Sequence, residues 1–533
     1  MTGCRAFLST SLLLVAAMTA TSAQVTLTPE EAGRFLAQAT LGANWEEIHR
    51  TAEMGYEAWL AEQFERPTGY QQPMLDQRAQ LSLEVSAEHR RWSWWEQVMQ
   101  GPDPLRQRIA LALSEHFVVS DDLSQIRDNP RGLANYYDML LDHAFGNYRD
   151  LLYDVTLHPI MGVYLSHLRN EKSNPAVGRF PDENYAREIM QLFSIGLFEL
   201  RLDGSFVQSG TGEPIPTYDN GDITEFAKIF TGLAFDGPDS DFSQGLAVWT
   251  EPMRMYESHH EPGPKQLLRG KYVPAGQTGL QDINDAIDNL FEHPNVAPFV
   301  ARRLIQRLVT SNPSPGYIER VASVFANDGS GVRGDMKAVI AAVLLDSEAT
   351  DWPDESAIGE GMLRESFLRR VHLARAFDAS NLAFSYPISD GSAPNSFSQR
   401  PLSSPTVFNF FLPDHQPSGP IGDAGLVGPE FQIISAVTAI SSANALRTQV
   451  DSAMNFNIDD TLEVRLHLND EIAIASDVTA LINRLDKLLM YGDMSAQMRQ
   501  VLIQALIQLG DPEARAKMAI LLISISPEYC VLK

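Results

Sequence analysis

Helix-start signals recur along this 533-residue chain and constrain its fold more than any other feature. Thr28-Pro29-Glu30-Glu31 sets an N-cap hydroxyl before a proline at the first helical position and a capping-box glutamate. Asn44-Trp45-Glu46-Glu47 and Asp222-Ile223-Thr224-Glu225 repeat the capping-box logic. Apolar residues then recur at helical spacing through 75–99, 104–118, 132–144, 283–292, 296–310, 336–345, 361–377, 429–446, 477–491, 496–509 and 512–523. Strand signals gather between 197 and 273. Residues 198–202 and 205–208 flank Asp203-Gly204, a turn that supplies the positive φ angles of a tight hairpin. Residues 248–256 and 266–273 make a second candidate pair around the loop 257–265. The expectation is a mainly α fold, a large multi-helical single unit over 24–533 with a small antiparallel β insertion at about 197–273.

A length prior alone suggests about three or four domains, but no segment has the composition of a free hinge. The Pro-, Ser- and Gly-rich stretch 385–428 also carries Phe397, Phe408, Phe410 and Phe411, so it reads as an ordered loop clamped on the core. No repeat appears at solenoid periods. At the N-terminus, Arg5, an apolar run from 7 to 20 and the small residues Thr21-Ser22-Ala23 predict a secretory signal over 1–23. No later segment is long and apolar enough to span a bilayer, so the mature chain is expected to be exported, to the periplasm or beyond. Cys4 falls within the signal, which leaves Cys530 as a packed thiol with no disulfide partner. A large core replaces the crosslinks that small secreted domains need. With 41 Lys+Arg against 68 Asp+Glu, the net charge of −27 argues against nucleic acid and anionic membrane surfaces as partners.

The segment from Pro181 to Gly196 combines an apolar stripe (Tyr185, Ile189, Leu192, Phe193, Ile195) with Glu183, Asn184, Arg187 and Glu188 in the same turns. Glu183 and Arg187, four apart, meet on one helical face, and charges there need partners if buried. This segment resembles the "ENxARExxxLFxxG" signature of a bacterial family, domain of unknown function (DUF) 1800. Other stretches extend the resemblance: Arg34-Phe35-Leu36 to Gly42, Arg106 to Glu115-His116-Phe117 (with Leu113 where an aromatic is usual), Phe230-Thr231-Gly232, and His260-Glu261-Pro262-Gly263-Pro264-Lys265. Gly334-Asp335, Arg400-Pro401 to Phe410, and Ser526-Pro527-Glu528-Tyr529 continue it to the C-terminus. The resemblance implies an exported α-helical protein of uncharacterised activity. It also implies a possible partner, since members are commonly encoded beside a sulfatase-like exported family, DUF 1501.

The chemistry-bearing constellation is Glu183, Arg187 and Glu188 from this helix with His260 and Lys265 from the later loop. In an enzyme, Glu188 serves as base or ligand, Glu183 as its acidic partner and His260 as ligand or acid/base. Lys265 then stabilises developing negative charge. A divalent metal, if one is held, is expected on His116, Glu188, His260 and Glu261, because His and carboxylate suit zinc or iron. The structural alternative is that Arg187 neutralises buried glutamates and Lys265 closes an ion pair with Glu183 or Glu188. No HExxH, paired CxxC, GxSxG, GK[ST] loop or strand-following GxGxxG occurs, which removes the standard protease, hydrolase and nucleotide readings. Residues 327–331 resemble a calcium loop but lack its ligand spacing, and a turn before a helix capped by Asp335 fits better. The aromatics Trp92, Trp94 and Trp95, and Phe408 to Phe411, fit packing ahead of sugar stacking. Two functions therefore stand. One is an exported envelope or extracellular protein acting with a partner in cell-surface or polymer handling; the alternative is a metal-dependent hydrolase.

Overall fold

Two of the three capping boxes form where the sequence predicts them. In the computed structural model, which describes residues 26–238, 240–352, 359–383, 385–388, 396–455 and 459–533, the first helix is Pro29–Ala39. The Thr28 amide donates to Glu31 Oε2 at 2.7 Å, and the Glu31 amide donates back to Thr28 Oγ1 at 3.2 Å. Asn44 and Glu47 repeat the exchange before helix Trp45–Met54. The third box lies one turn earlier than predicted. Asp219 is the cap and Asp222 its partner, so helix Asn220–Ile229 begins before Asp222. The predicted signal segment 1–23 lies outside the described residues, as does 389–395 of the Pro-rich stretch.

Two helices are buried on nearly every side and organise the rest. Helix Pro104–Ser114 buries all its residues from Leu105 to Ser114, and helix Ser366–Ala376 buries every residue, including three arginines. An all-round buried helix must satisfy its charges internally. Arg370 Nη2 donates to the Met454 carbonyl at 2.6 Å and Arg375 Nε to the Gly42 carbonyl at 2.5 Å. A single apolar cluster runs through the chain from Phe35 to Tyr529, taking in Trp94, Tyr148, Phe193 and Ile520. Among the described residues, no helix is long and apolar enough to cross a membrane.

Some expected helices divide. The 75–99 stretch becomes Gln72–Gln80 and Ala87–Gln100, because Ser82 adopts φ +55°. There the Leu83 amide closes back on the Arg78 carbonyl at 2.9 Å, a Schellman-like stop. Residues Met362–Leu363, expected as helix, instead pair antiparallel with Val531–Leu532 and tie the chain end to the centre. Nearby, the Cys530 thiol takes a bond from Arg369 Nη1 at 2.9 Å.

The β elements are small, antiparallel and inserted after the Pro181–Gly196 signature. The first hairpin forms with Leu200 opposite Phe206, but only Gly204 takes a positive φ (+77°); the turn is a three-residue type with glycine in the left-handed position. A third segment joins it through Phe198 opposite Pro216 and Gln208 opposite Pro214. The second expected pair is replaced. Arg254–Met255 pairs with Leu233–Ala234, while Lys265–Gln266 folds back on Tyr272–Val273. Arg269 (φ +56°) and Gly270 (φ +78°) turn the chain too sharply for 266–273 to reach 248–256 as one strand.

Candidate functional site

The signature helix Asn184–Gln191 turns its charges in opposite directions. Glu183 and Arg187 point to solvent, with side chains 43% and 41% exposed and a separation of 3.8 Å. The expectation that they form a buried network is corrected: the helix buries Tyr185, Ile189 and Met190 and leaves this pair on the wet face. Glu183 Oε1 also accepts from the Thr224 hydroxyl at 2.9 Å. Glu188 faces inward, and its Oε2 is buried without a hydrogen-bond partner. Burial holds its carboxyl above the usual range, and the adjacent Arg187 only partly offsets this.

His260 and Lys265 belong to a different centre. Lys265 ion-pairs with Asp282, and His260 Nε2 lies 2.9 Å from the same carboxylate oxygen; all three residues are at most 2% exposed. Lys265 also donates to the Glu261 carbonyl at 2.5 Å, and Gln277 Nε2 donates to the other Asp282 oxygen at 3.1 Å. Although burial alone would raise it, the Asp282 carboxyl is held below its ordinary value by the bonds from His260 and Lys265. Lys265 thus pairs with Asp282 rather than with Glu183 or Glu188.

The Phe230-Thr231-Gly232 motif seats this loop. The Thr231 carbonyl faces His260 Nδ1 at 2.9 Å, and the Thr231 hydroxyl accepts from the Glu261 amide at 2.9 Å. A Cβ on Gly232 (φ +89°) would lie 3.0 Å from the His260 backbone nitrogen, so only glycine admits this approach. Both His260 nitrogens therefore face oxygens that accept, a carbonyl and a carboxylate. With the Lys265 ammonium also 3.4 Å from Nε2, both nitrogens are engaged by protein groups.

Nor do the four expected metal ligands converge. Helix Asn220–Ile229 packs against both the signature helix and strand Lys265–Gln266. Glu261 is occupied by the Ser173 amide at 3.2 Å, and His116 lies elsewhere. Among the described residues, no group of three or more His, Cys, Asp or Glu side chains is arranged to hold a metal ion.

His116 instead lines a cleft of about 490 Å³. Segments far apart in sequence build it. Helix Pro104–Ser114 ends at Glu115 and His116, and the signature contributes Leu192, Ile195 and Gly196. The first hairpin brings Phe198, Leu200 and Phe206, while the ordered loop brings Phe408, Phe411 and Leu412. The floor is helix Val296–Leu308, whose Phe299, Val300, Arg303, Leu304 and Arg307 follow one helical stripe. Gly196 (φ +71°) lets the backbone pass the Phe299 ring, which a Cβ would meet at 3.1 Å.

The cleft is apolar but electropositive. Arg307 pairs with Glu115 (3.3 Å) and lies over the Phe411 ring at 4.4 Å. Arg303 lies over the Phe299 ring at 5.0 Å and makes a long 3.5 Å contact to Gln306. Among the described residues, neither Arg302 nor Arg303 has a carboxylate within ion-pair distance; Asp414 acts on both from farther away. Burial pushes the Arg303 guanidinium down to about 9, with Arg302 and Arg307 adding to it. The same forces, burial first and then Arg303, push His116 down to about 3.

The Tyr148 hydroxyl gives its proton to the Phe193 carbonyl (2.7 Å), so it accepts from His116 Nε2 at 2.9 Å. That leaves His116 Nδ1 as an acceptor in a neutral ring. A histidine held this low is a weak proton acceptor at neutral pH.

Asp282, Arg302, Arg303 and Arg307 escape the sequence reading. Asp282 shares the inward stripe of Ile283, Ala286 and Leu290, and Arg303 that of Phe299 and Leu304. A charge at a core-facing helical position was the available signal. The Trp94 and Trp95 rings are core, as the packing reading holds, with Trp94 Nε1 donating to the Tyr137 hydroxyl at 3.1 Å. Phe408 departs from that reading: it is 44% exposed and stands at the cleft mouth.

No curated protein and no solved structure matches the chain. The family model described as a protein of unknown function (DUF1800) matches residues 34–531, so the chain belongs to the DUF1800 family.

Proposed function

We propose that this is an exported envelope or extracellular binding protein, acting with a partner in cell-surface or polymer handling, and that the cleft is its binding site. One observation carries the reading. Separated segments of the chain meet at a single cleft whose mouth exposes Leu197, Phe198, Phe206, Phe408 and Leu412 above an arginine-bearing floor. Contiguous exposed apolar surface of this kind marks interaction sites. The hydrolase alternative requires Glu188, His260 and Lys265 at one point, and their positions give it no support.

The test is calorimetric titration of the purified protein with a sulfatase-like exported protein of the DUF 1501 type, the partner class that the family resemblance implies. The wild type is compared with Phe206→Ser/Phe408→Ser, two changes at half-exposed positions. Saturable binding that the double variant loses supports the reading. Absence of binding, or binding indifferent to the double variant, rejects it.

A further inference from the structure

We propose that the cleft takes a single-chain anionic amphiphile, its headgroup on the Arg303 guanidinium and its apolar body running out between Phe299 and the aromatic mouth. The inference rests on the cleft being the binding site and goes further by naming the ligand's chemistry. Charge complementarity carries it. The chain as a whole has a net charge of −27, yet three arginines from one helix line this cleft against Glu115 and Asp414. Arg307 is already matched by Glu115, whereas Arg303 has the face of Phe299 and one long contact to Gln306.

A guanidinium in apolar surroundings without an anion leaves much of its attraction unused. A carboxylate or phosphate monoester placed there completes it. The neutral His116 ring beside it adds no competing carboxylate and offers Nδ1 to a protonated or hydroxylated headgroup. Apolar side chains line the rest of the path, which excludes a small hydrophilic anion as the whole ligand. The volume of about 490 Å³ is the scale of a small-molecule site rather than of a polymer groove.

The experiment titrates the purified protein with dodecanoate, dodecyl phosphate, dodecanol and dodecyltrimethylammonium below their micellar concentrations. Stoichiometry is read by native mass spectrometry and affinity by calorimetry. The expected result is 1:1 binding of an anionic probe, with dodecanol weaker by about 30-fold. The better of the two anions identifies a carboxylate or a phosphate headgroup. Arg303→Gln brings the anion down to the level of dodecanol. Phe408→Glu, at an exposed position that does not test folding, weakens the anions and spares the cationic probe. Equal affinity of wild type for dodecanol and the anions, or no saturable binding of any probe, overturns the inference. An Arg303→Gln protein that folds and keeps the anion preference does the same. Partner binding without amphiphile binding removes this inference and leaves the proposed function standing; loss of both removes the cleft as a binding site.

Discussion

Replacing Asp282 by Asn tests whether the 257–265 loop is held by a buried charge network or built for chemistry. Asp282 is the only carboxylate in ion-pair contact with Lys265 among the described residues, and it also faces His260 Nε2. Both partners are at most 2% exposed, so water cannot replace the lost charge. Breaking a buried pair by removing one partner costs about 3–5 kcal/mol, because the other charge is stranded. Unfolding entropy of about 2.1 cal/mol/K per residue over the roughly 510 residues from 26 to 533 gives about 1.1 kcal/mol/K. The expected fall in Tm is therefore about 3–5 °C, read by differential scanning calorimetry at pH 7.

The pH dependence adds a second readout. The folded Asp282 carboxyl is held below its ordinary value of 3.8. Its contribution is present above that value and is lost as pH falls through the lower folded value. The gap between wild type and Asp282→Asn should therefore narrow below pH 3.8. Adding Lys265→Met to Asp282→Asn should recover part of the loss, since it removes the stranded cation. A fall in Tm below about 1 °C, or a double variant worse than the sum of its parts, refutes the reasoning.

Other outcomes follow from the same structure. Glu430 is fully buried, and burial pushes its carboxyl up to about 8 against the weaker opposing pull of Arg307 and Ser311. The folded state keeps a proton that the unfolded chain releases above 4.5, so this stability drains as pH rises from there through about 8. Glu430→Gln should flatten that decline in thermal scans from pH 5 to 9, and an unchanged slope contradicts the assignment. Arg187→Ala should cost under about 1 kcal/mol, because the pair with Glu183 is exposed; denaturant midpoints measure it. Glu188→Gln should be neutral or stabilising near pH 8, since it removes a buried carboxyl whose Oε2 lacks a partner. A large loss of stability there would reveal a partner for Glu188. Gly232→Ala should destabilise by more than the ~1–2 kcal/mol of left-handed strain, because its Cβ also meets Met255 Sδ at 2.9 Å and the His260 backbone at 3.0 Å. Calorimetry and amide exchange over 256–265 would report it.

How much of this was legible in the sequence follows the range of the interactions concerned. Thr28 with Glu31 and Asn44 with Glu47 are contacts within one turn, and both form as read. The helical stripe of the signature gave Tyr185 and Ile189 as buried; of its charges Glu188 does face inward, whereas the Glu183–Arg187 pair lies on the wet face. Apolar periodicity gives a face only to within a residue, and one step of about 100° separates exposed Arg187 from buried Glu188. Strand partners were less legible still, since 254–255 found 233–234 across the intervening loop rather than a neighbouring run.

A helical, largely buried architecture was determined by the sequence alone, because capping and periodicity act over three or four residues and each stretch carries its own instruction. The site was decided by the tertiary structure. Lys265 and Asp282 are 17 residues apart, and Arg307 and Glu115 are far more distant in sequence, so local spacing says nothing of their meeting. Only packing around the two buried helices brings Glu115 and His116, Gly196, Phe206, Arg303 and Phe411 to one cleft. Burial there, acting together with the neighbouring arginines, sets the charge states of Arg303 and His116.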